Sequence, residues 1–287
     1  MKVLVIGSNG QLGSEIKELS FEYDKIEFIF KDLPDLNICN AELINTFITE
    51  KKINVVINCA AYTAVDKAEE NFEIAEKVNS LGVQNLVYAL EIVNGKLIHI
   101  STDYVFDGSN SEPYKESDLV SPIGIYGITK RDGELFVINS PIDSIIIRTS
   151  WLYSSFGNNF VKTMLRLGNE KNSLSVISDQ IGTPTYARDL AKTCLDILSI
   201  ADPISKNGKV YHYSNEGVAS WYDFAISIME LGGLNCKVKP IQTKDYPTLA
   251  KRPQYSLLNK IKIKEDFKID IPHWRDSLKK CLNKLEK

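Results

Sequence analysis

Short apolar runs alternate with amphipathic stretches through the first half of this 287-residue chain. The runs at 3–6, 26–30, 55–58, 97–101 and 144–148 hold few polar residues, the pattern of strands buried on both faces. Between them, residues 11–20, 40–52, 72–93 and 123–139 place apolar side chains at helical spacing. Parallel neighbours need a crossover, and a helix between strands supplies it, so the pattern predicts βαβ units and a doubly wound α/β parallel sheet over residues 1–150. Beyond Trp151 the rhythm loosens. Helices are expected at 157–168, 186–200, 221–231 and 275–285, and short strands at 174–177 and 210–213. Gly182, Pro184, Gly217, Pro240, Pro247, Pro253 and Pro272 punctuate this half. The expectation is a smaller C-terminal α/β lobe, 151–287, lying over the carboxyl ends of the strands, with later segments able to return to the sheet. Ligands bind in that crevice in open α/β sheets.

Composition removes several classes of function. A net charge of -3 gives no global basic field for nucleic acid. The lysines at 237, 239, 244, 251, 260, 262 and 264 are interspersed with acids and read as a solvated face. No apolar run approaches the ~18 residues of a membrane span. The N-terminus reads as a buried strand and not as an export signal, so a cytoplasmic location is expected. The five cysteines and three histidines are scattered, making neither a disulfide framework nor a metal constellation.

The first strand runs into Gly7, Gly10 and Gly13, and a helix follows. Glycines at such a turn permit a tight bend, close approach of backbone to a pyrophosphate and close helix packing. The helix start then offers free N–H groups and a positive dipole end. This is a dinucleotide-binding turn of the Rossmann type, spaced GxxGxxG instead of the commoner GxGxxG. At the end of the second strand, Asp32 suits the ribose hydroxyl of NAD and Lys31 suits the 2′-phosphate of NADP, so NADP(H) and NAD(H) both remain open.

Thr102 ends the fourth strand, where active sites collect in this architecture. Its hydroxyl is suited to bond a substrate carbonyl oxygen; a turn-capping threonine is the plainer alternative. Tyr126 and Lys130 lie four residues apart on one helix face. A free tyrosine, with a pKa of about 10, is a poor acid at neutral pH, and a nearby cation lowers that value. The pair is thus suited to hand a proton to a nascent alkoxide. With 13 tyrosines in the chain, the spacing alone equally describes an ordinary helix pair.

Order along the chain decides between these readings. The glycine turn, then Asn58-Cys59-Ala60-Ala61-Tyr62-Thr63, then Ser101-Thr102-Asp103, then Tyr126 and Lys130 resembles the extended short-chain dehydrogenase/reductase family. Segments 61–69, 101–106, 148–153, 158–164, 179–185, 220–224 and 246–253 resemble, within it, the dTDP-4-dehydrorhamnose reductases. The resemblance implies NAD(P)H-dependent reduction of the C4 keto group of a dTDP-linked 4-keto-6-deoxy sugar, giving dTDP-L-rhamnose. It implies that Tyr126 protonates the alkoxide, Thr102 holds the oxygen, and Lys130 lowers the tyrosine pKa and bonds the nicotinamide ribose. Gly10, Gln11 and Leu12 would cover the pyrophosphate, with Asp35 and Leu36 near the adenosine. Ala60, Ala61 and Thr63 would line the cofactor, supported by Asn79. Asp103, Trp151 and Arg252 would face the sugar nucleotide. A core role for Trp151 and a surface ion pair for Arg252 are the alternatives.

Some relatives dimerise through a magnesium site built from glutamates. Glu15 matches one of them, read here as a first-turn acid near the helix dipole. The other two fall at Arg188 and Lys284, whose charge would repel a metal. A monomer or weak homodimer without bridging metal is therefore expected. The rival functions are a reductase or epimerase acting on another nucleotide-linked deoxysugar, a 4,6-dehydratase, or a non-catalytic regulatory subunit of the methionine adenosyltransferase type. The dehydratases place a glutamate after the aspartate that follows the threonine; here that position is Tyr104.

Overall fold

A computed structural model describes residues 1–200, 204 and 208–286. Strands β1 (Lys2–Ile6), β2 (Glu27–Lys31), β3 (Val55–Asn58), β4 (Lys96–Thr102) and β5 (Ser144–Thr149) lie in one parallel sheet. Its sixth strand, Lys209–His212, pairs parallel with β5. Read from that edge, the order is Lys209–His212, β5, β4, β3, β1, β2. The chain leaves β1 in one direction to form β2 and in the other to form β3, so the topological switch point falls between β1 and β3. That is where an open α/β sheet forms its ligand crevice.

Alternation along the strands builds two apolar layers. Val3, Val5 and Ile57 face the first helix, α1 (Gln11–Leu19), and the Ala187–Ser199 helix. Leu4, Ile6 and Val56 face α2 (Ala41–Lys51) and the Gly82–Ile92 helix. All of β3 and β5 is buried, as two covered faces require. The expected strands and helices of the first half are present within one or two residues, with two departures. A short helix, Val65–Glu70, was not anticipated. The expected helix at 72–93 is interrupted by a π-turn at Lys77–Leu81, which changes the register of its side chains.

The second half returns to the sheet once, contributing the Lys209–His212 strand and the Ala187–Ser199 helix. The rest packs around its own aromatic core of Tyr153, Tyr186, Phe224 and Trp274. Ser173–Ile177 pairs parallel with Lys237–Ile241 there, the Phe160–Glu170 and Trp221–Leu231 helices pack on this pair, and the Trp274–Leu285 helix packs on the Trp221–Leu231 helix. The Lys237–Ile241 strand and the Ile261–Phe267 helix carry no clear periodicity in sequence.

Two glycines of the first turn are fixed by space. Gly7 has φ +75°, and a Cβ there would sit 2.6 Å from the Ala60 nitrogen. A Cβ on Gly13 would sit 2.3 Å from the Gly7 oxygen and 2.5 Å from the Ser8 Cα. At Gly10 the nearest atom would be 3.2 Å away. Gly13→Ala is therefore expected to destabilise the fold by roughly 1–3 kcal/mol, and Gly10→Ala by clearly less. Urea unfolding midpoints of the two variants check this order.

Candidate active site

The turn from β1 to α1 lies at the switch point, with Gly7 against the Cys59–Ala60 backbone. Gly10 is the N-cap of α1 and brings no side-chain acceptor to the first-turn N–H groups. An uncapped helix start beside glycine backbone fits a dinucleotide pyrophosphate. Leu12 is buried in the core, so only its backbone is available to such a ligand. The Gln11 amide oxygen accepts from Asn159 Nδ2 at 3.0 Å, tying this turn to the second lobe.

The adenosine end differs from expectation. Asp32 accepts from the backbone N–H of Asn9 and of Leu33, both at 2.8 Å, so its carboxylate braces the glycine turn. Lys31 pairs with the exposed Asp35 at 3.5 Å. Leu36 is a core residue packed with Ile38 and Ile44, and its side chain is not offered to the crevice. On the other wall, Ala60 and Ala61 are half-buried and Thr63 is exposed. Asn79, carried inward by the π-turn, binds the Tyr62 backbone twice, accepting from its N–H (2.8 Å) and donating to its carbonyl (3.1 Å). The same amide nitrogen donates to Thr129 Oγ1 at 3.2 Å, which joins this wall to the helix bearing Tyr126.

That helix, Ile125–Ile138, is seated by two glycines. A Cβ on Gly127 would sit 2.2 Å from the Tyr104 oxygen, and one on Gly133 would sit 2.2 Å from the Asn79 oxygen. Tyr126 and Lys130 share its inner face, and Thr102 meets them from the end of β4. Burial pushes the Tyr126 phenol up to about 12, with Thr102's hydrogen bond acting downward and the Asp103 charge upward. The expected lowering by Lys130 is thus overturned: desolvation dominates. The Lys130 ammonium donates to the Ile100 carbonyl at 2.7 Å, and burial pushes it down to about 8. Thr102 Oγ1 accepts from the Tyr104 N–H (3.2 Å) and lies 3.1 Å from Asp103 Oδ1. Asp103 is buried beside it and raised to about 6 by desolvation, against hydrogen bonds from Ser256 and Thr102. The Tyr104 ring stands edge-on to Tyr126, with centroids 5.4 Å apart.

A cleft of about 610 Å³ in the second lobe is lined by Trp221, Gln180, Tyr246, Thr248 and Arg252 among others. Arg252 both lines it and forms the ion pair given above as the alternative. Its guanidinium donates to Asp66 Oδ2 (2.7 Å) and Oδ1 (3.2 Å), and Asp66 also accepts from the Ala250 N–H. Asp66 and Glu69 sit on the unanticipated Val65–Glu70 helix. Glu69 accepts from the Ile125 N–H at 2.9 Å and so caps the helix of Tyr126. Trp151 adopts φ 48° and stacks face to face on Trp221 at 3.7 Å; Trp221 is the one that lines the cleft. Asp66, Glu69 and Trp221 fall within segments that carry the resemblance, but their roles here, like that of Ser256, had no local signal because their partners lie far along the chain.

Glu15 is not a first-turn acid; it is buried midway along α1. It accepts from Ser154 Oγ (2.6 Å), Arg188 (3.2 Å) and Lys284 (3.1 Å). Glu18 pairs with the same two cations. A charge buried this deeply needs such partners. Asn79→Ala is expected to cost about 1–3 kcal/mol in unfolding and to speed hydrogen exchange at the Tyr62 amide, whose acceptor it removes.

Comparison with known proteins agrees with this geometry. All of residues 1–287 match the family described as RmlD substrate binding domain. The dTDP-4-dehydrorhamnose reductase of Aggregatibacter actinomycetemcomitans is 42% identical over 97% of each chain. A solved dTDP-4-dehydrorhamnose reductase from Clostridium acetobutylicum superposes with TM-score 0.94 at 44% identity, covering 100% of both chains. One from Bacillus anthracis, solved in complex with NADP, gives TM-score 0.93 at 36% identity over 99% of both. The resemblance read from the motifs is borne out, and the chain belongs to the RmlD substrate binding domain family.

Proposed function

We propose that this chain is an NADPH-dependent sugar-nucleotide oxidoreductase. It reduces the C4 ketone of dTDP-4-dehydro-6-deoxy-L-mannose to the alcohol of dTDP-L-rhamnose. The observation that carries this is the grouping of buried Thr102 and Lys130 with half-buried Tyr126 at the carboxyl end of β4. The full-length relatives named for this reaction support it, as does the NADP held by one of them. Asp32 already accepts from Asn9 of the glycine turn through Oδ2 and from Leu33 through Oδ1, which favours NADPH over NADH.

Bound cofactor would supply a hydride to C4; the rest falls to this chain. Gly7, Gly10, Gln11, Leu12 and Gly13 would hold the pyrophosphate, with Lys31 at the adenosine phosphate and Ala60, Ala61 and Thr63 along the wall. Thr102 and Tyr126 orient the carbonyl by hydrogen bonds to its oxygen. As that oxygen becomes an alkoxide, a stronger base than phenolate, Tyr126 gives it the phenolic proton. The high Tyr126 pKa keeps that proton in place until the alkoxide forms. Lys130 stabilises the phenolate left behind. Asp103, Trp151 and Arg252 would bind the sugar nucleotide, with Trp221 and Gln180 added by the cleft. In this reading residues 1–150, with the returning helix and strand, bind the dinucleotide, and most of 151–287 binds substrate.

Dehydration is disfavoured because Tyr104 stands where acid–base chemistry would need a carboxylate. Its hydroxyl is pushed well up by burial. We further infer a monomer or weak homodimer without bridging metal, since Arg188 and Lys284 already neutralise Glu15. The mass measured in solution should be the same with and without chelator.

Tyr126→Phe should lower kcat by about 10²–10⁴-fold, followed as NADPH absorbance at 340 nm with dTDP-4-dehydro-6-deoxy-L-mannose. Equal rates in the two proteins, or no consumption by the parent, would sink the reductase reading. The same assay with NADH should give the lower kcat/KM.

A further inference from the structure

We propose that Glu134, gripped by Arg148, is a positioning residue for this reaction: its carboxylate is the counter-charge that keeps the Lys130 ammonium charged at a buried position. The proposal rests on the reductase reading, in which a charged Lys130 stabilises the phenolate.

Lys130 and Glu134 stand one turn apart on the Ile125–Ile138 helix, and both are buried. The direct bond of Lys130 is to a neutral acceptor, the Ile100 carbonyl. Glu134 is held from β5 by a two-pronged grip: Arg148 Nε donates to Oε1 at 2.9 Å and Nη2 to Oε2 at 2.7 Å. The two side chains are 4% and 2% exposed. Arg148 is fixed in turn by the Phe106 ring, 5.2 Å from its guanidinium carbon. A buried carboxylate without such a partner would take up a proton and cease to be a counter-charge. The fork fixes the Glu134 rotamer and joins the carboxylate to a permanently charged group.

No other described group that acts on Lys130 can do this. From β4 comes His99, held neutral by burial and bonded to Asn58 Nδ2 at 3.2 Å. From the end of β3 comes Cys59, whose thiol burial holds well above its ordinary value and so uncharged near neutral pH. Tyr126, on the same helix, is protonated. Around Arg148, burial pushes His212 down to about 3 and Glu116 upward. That leaves Glu134 pulling Lys130 towards the charged form against desolvation. Near pH 8 this balance is close, so the loss of one carboxylate changes which form predominates.

The test reads Lys130 itself. In ligand-free protein carrying ¹³C-labelled lysine, the Lys130 Cε signal is assigned by its loss in Lys130→Arg and followed against pH. Glu134→Gln should lower its midpoint by on the order of one pH unit, and the alkaline limb of kcat/KM for NADPH should move to lower pH with it. Glu134→Asp, which keeps the charge, should restore most of the midpoint. Should Glu134→Gln not fold, Glu134→Gln/Arg148→Met removes the stranded guanidinium together with the carboxylate and should show the same fall. An unmoved midpoint in either folded variant overturns the proposal, as does an unmoved pH limb accompanied only by a lower Tm. A midpoint that falls in a protein that consumes no NADPH would uphold the counter-charge and discard the reductase reading instead.

Discussion

The backbone contact between Gly7 and the Cys59–Ala60 peptide sets the geometry on which the rest of this molecule depends. It brings the ends of β1 and β3 together where, among the described strands, the winding of the sheet reverses. With Gly13 pressed onto the same turn, α1 starts directly over the crevice, its first N–H groups unclaimed by a capping side chain. A methyl group at Gly7 or Gly13 would wedge the turn off the sheet. The proposed dinucleotide site is thus built largely from backbone, and side chains such as Asp32 are spent on bracing the turn.

The chemical end of the site depends on dryness. Thr102, Asp103 and Lys130 are buried, and desolvation outweighs every local attraction in setting the Tyr126 and Lys130 protonation states. In the proposed reaction, an acid that must hold its proton until an alkoxide appears gains from a raised pKa. A cation that must survive the same environment does not, and needs an ionised partner close by. The same burial therefore serves one group and opposes the other, and the Glu134–Arg148 pair sits beside the group it opposes.

Much of this was legible in the sequence because it is local. Strands buried on both faces declare themselves as apolar runs, and the glycine turn and the Tyr126–Lys130 spacing each fit within a few residues. What escaped was set by distant partners or by competing energies. The π-turn that swings Asn79 inward has no compositional mark. Asp66 gains its meaning from Arg252, 186 positions away, and Glu15 from Lys284, 269 positions away. The sign of the Tyr126 shift could not be read from spacing, since a neighbouring cation and burial act in opposite directions. Leu36 reads as a loop residue near the adenosine until the core is seen to close over it.

The ties between the two lobes are unequal in depth. On the α1 side, Glu15 is fully buried against Ser154, Arg188 and Lys284, and Gln11 is bonded to Asn159. On the Val65–Glu70 side, the lobes meet through Asp66 and Arg252, which are 41% and 22% exposed. Both cations of the first seam, Arg188 and Lys284, are about as exposed as Arg252, so the seams differ in their carboxylates: Glu15 is closed to solvent and Asp66 is not, and mobile ions screen an exposed charge far more than a buried one. Rising salt should therefore loosen the Asp66–Arg252 tie before the Glu15 one, and Arg252, which also lines the second-lobe cleft, carries that sensitivity to the cleft's edge.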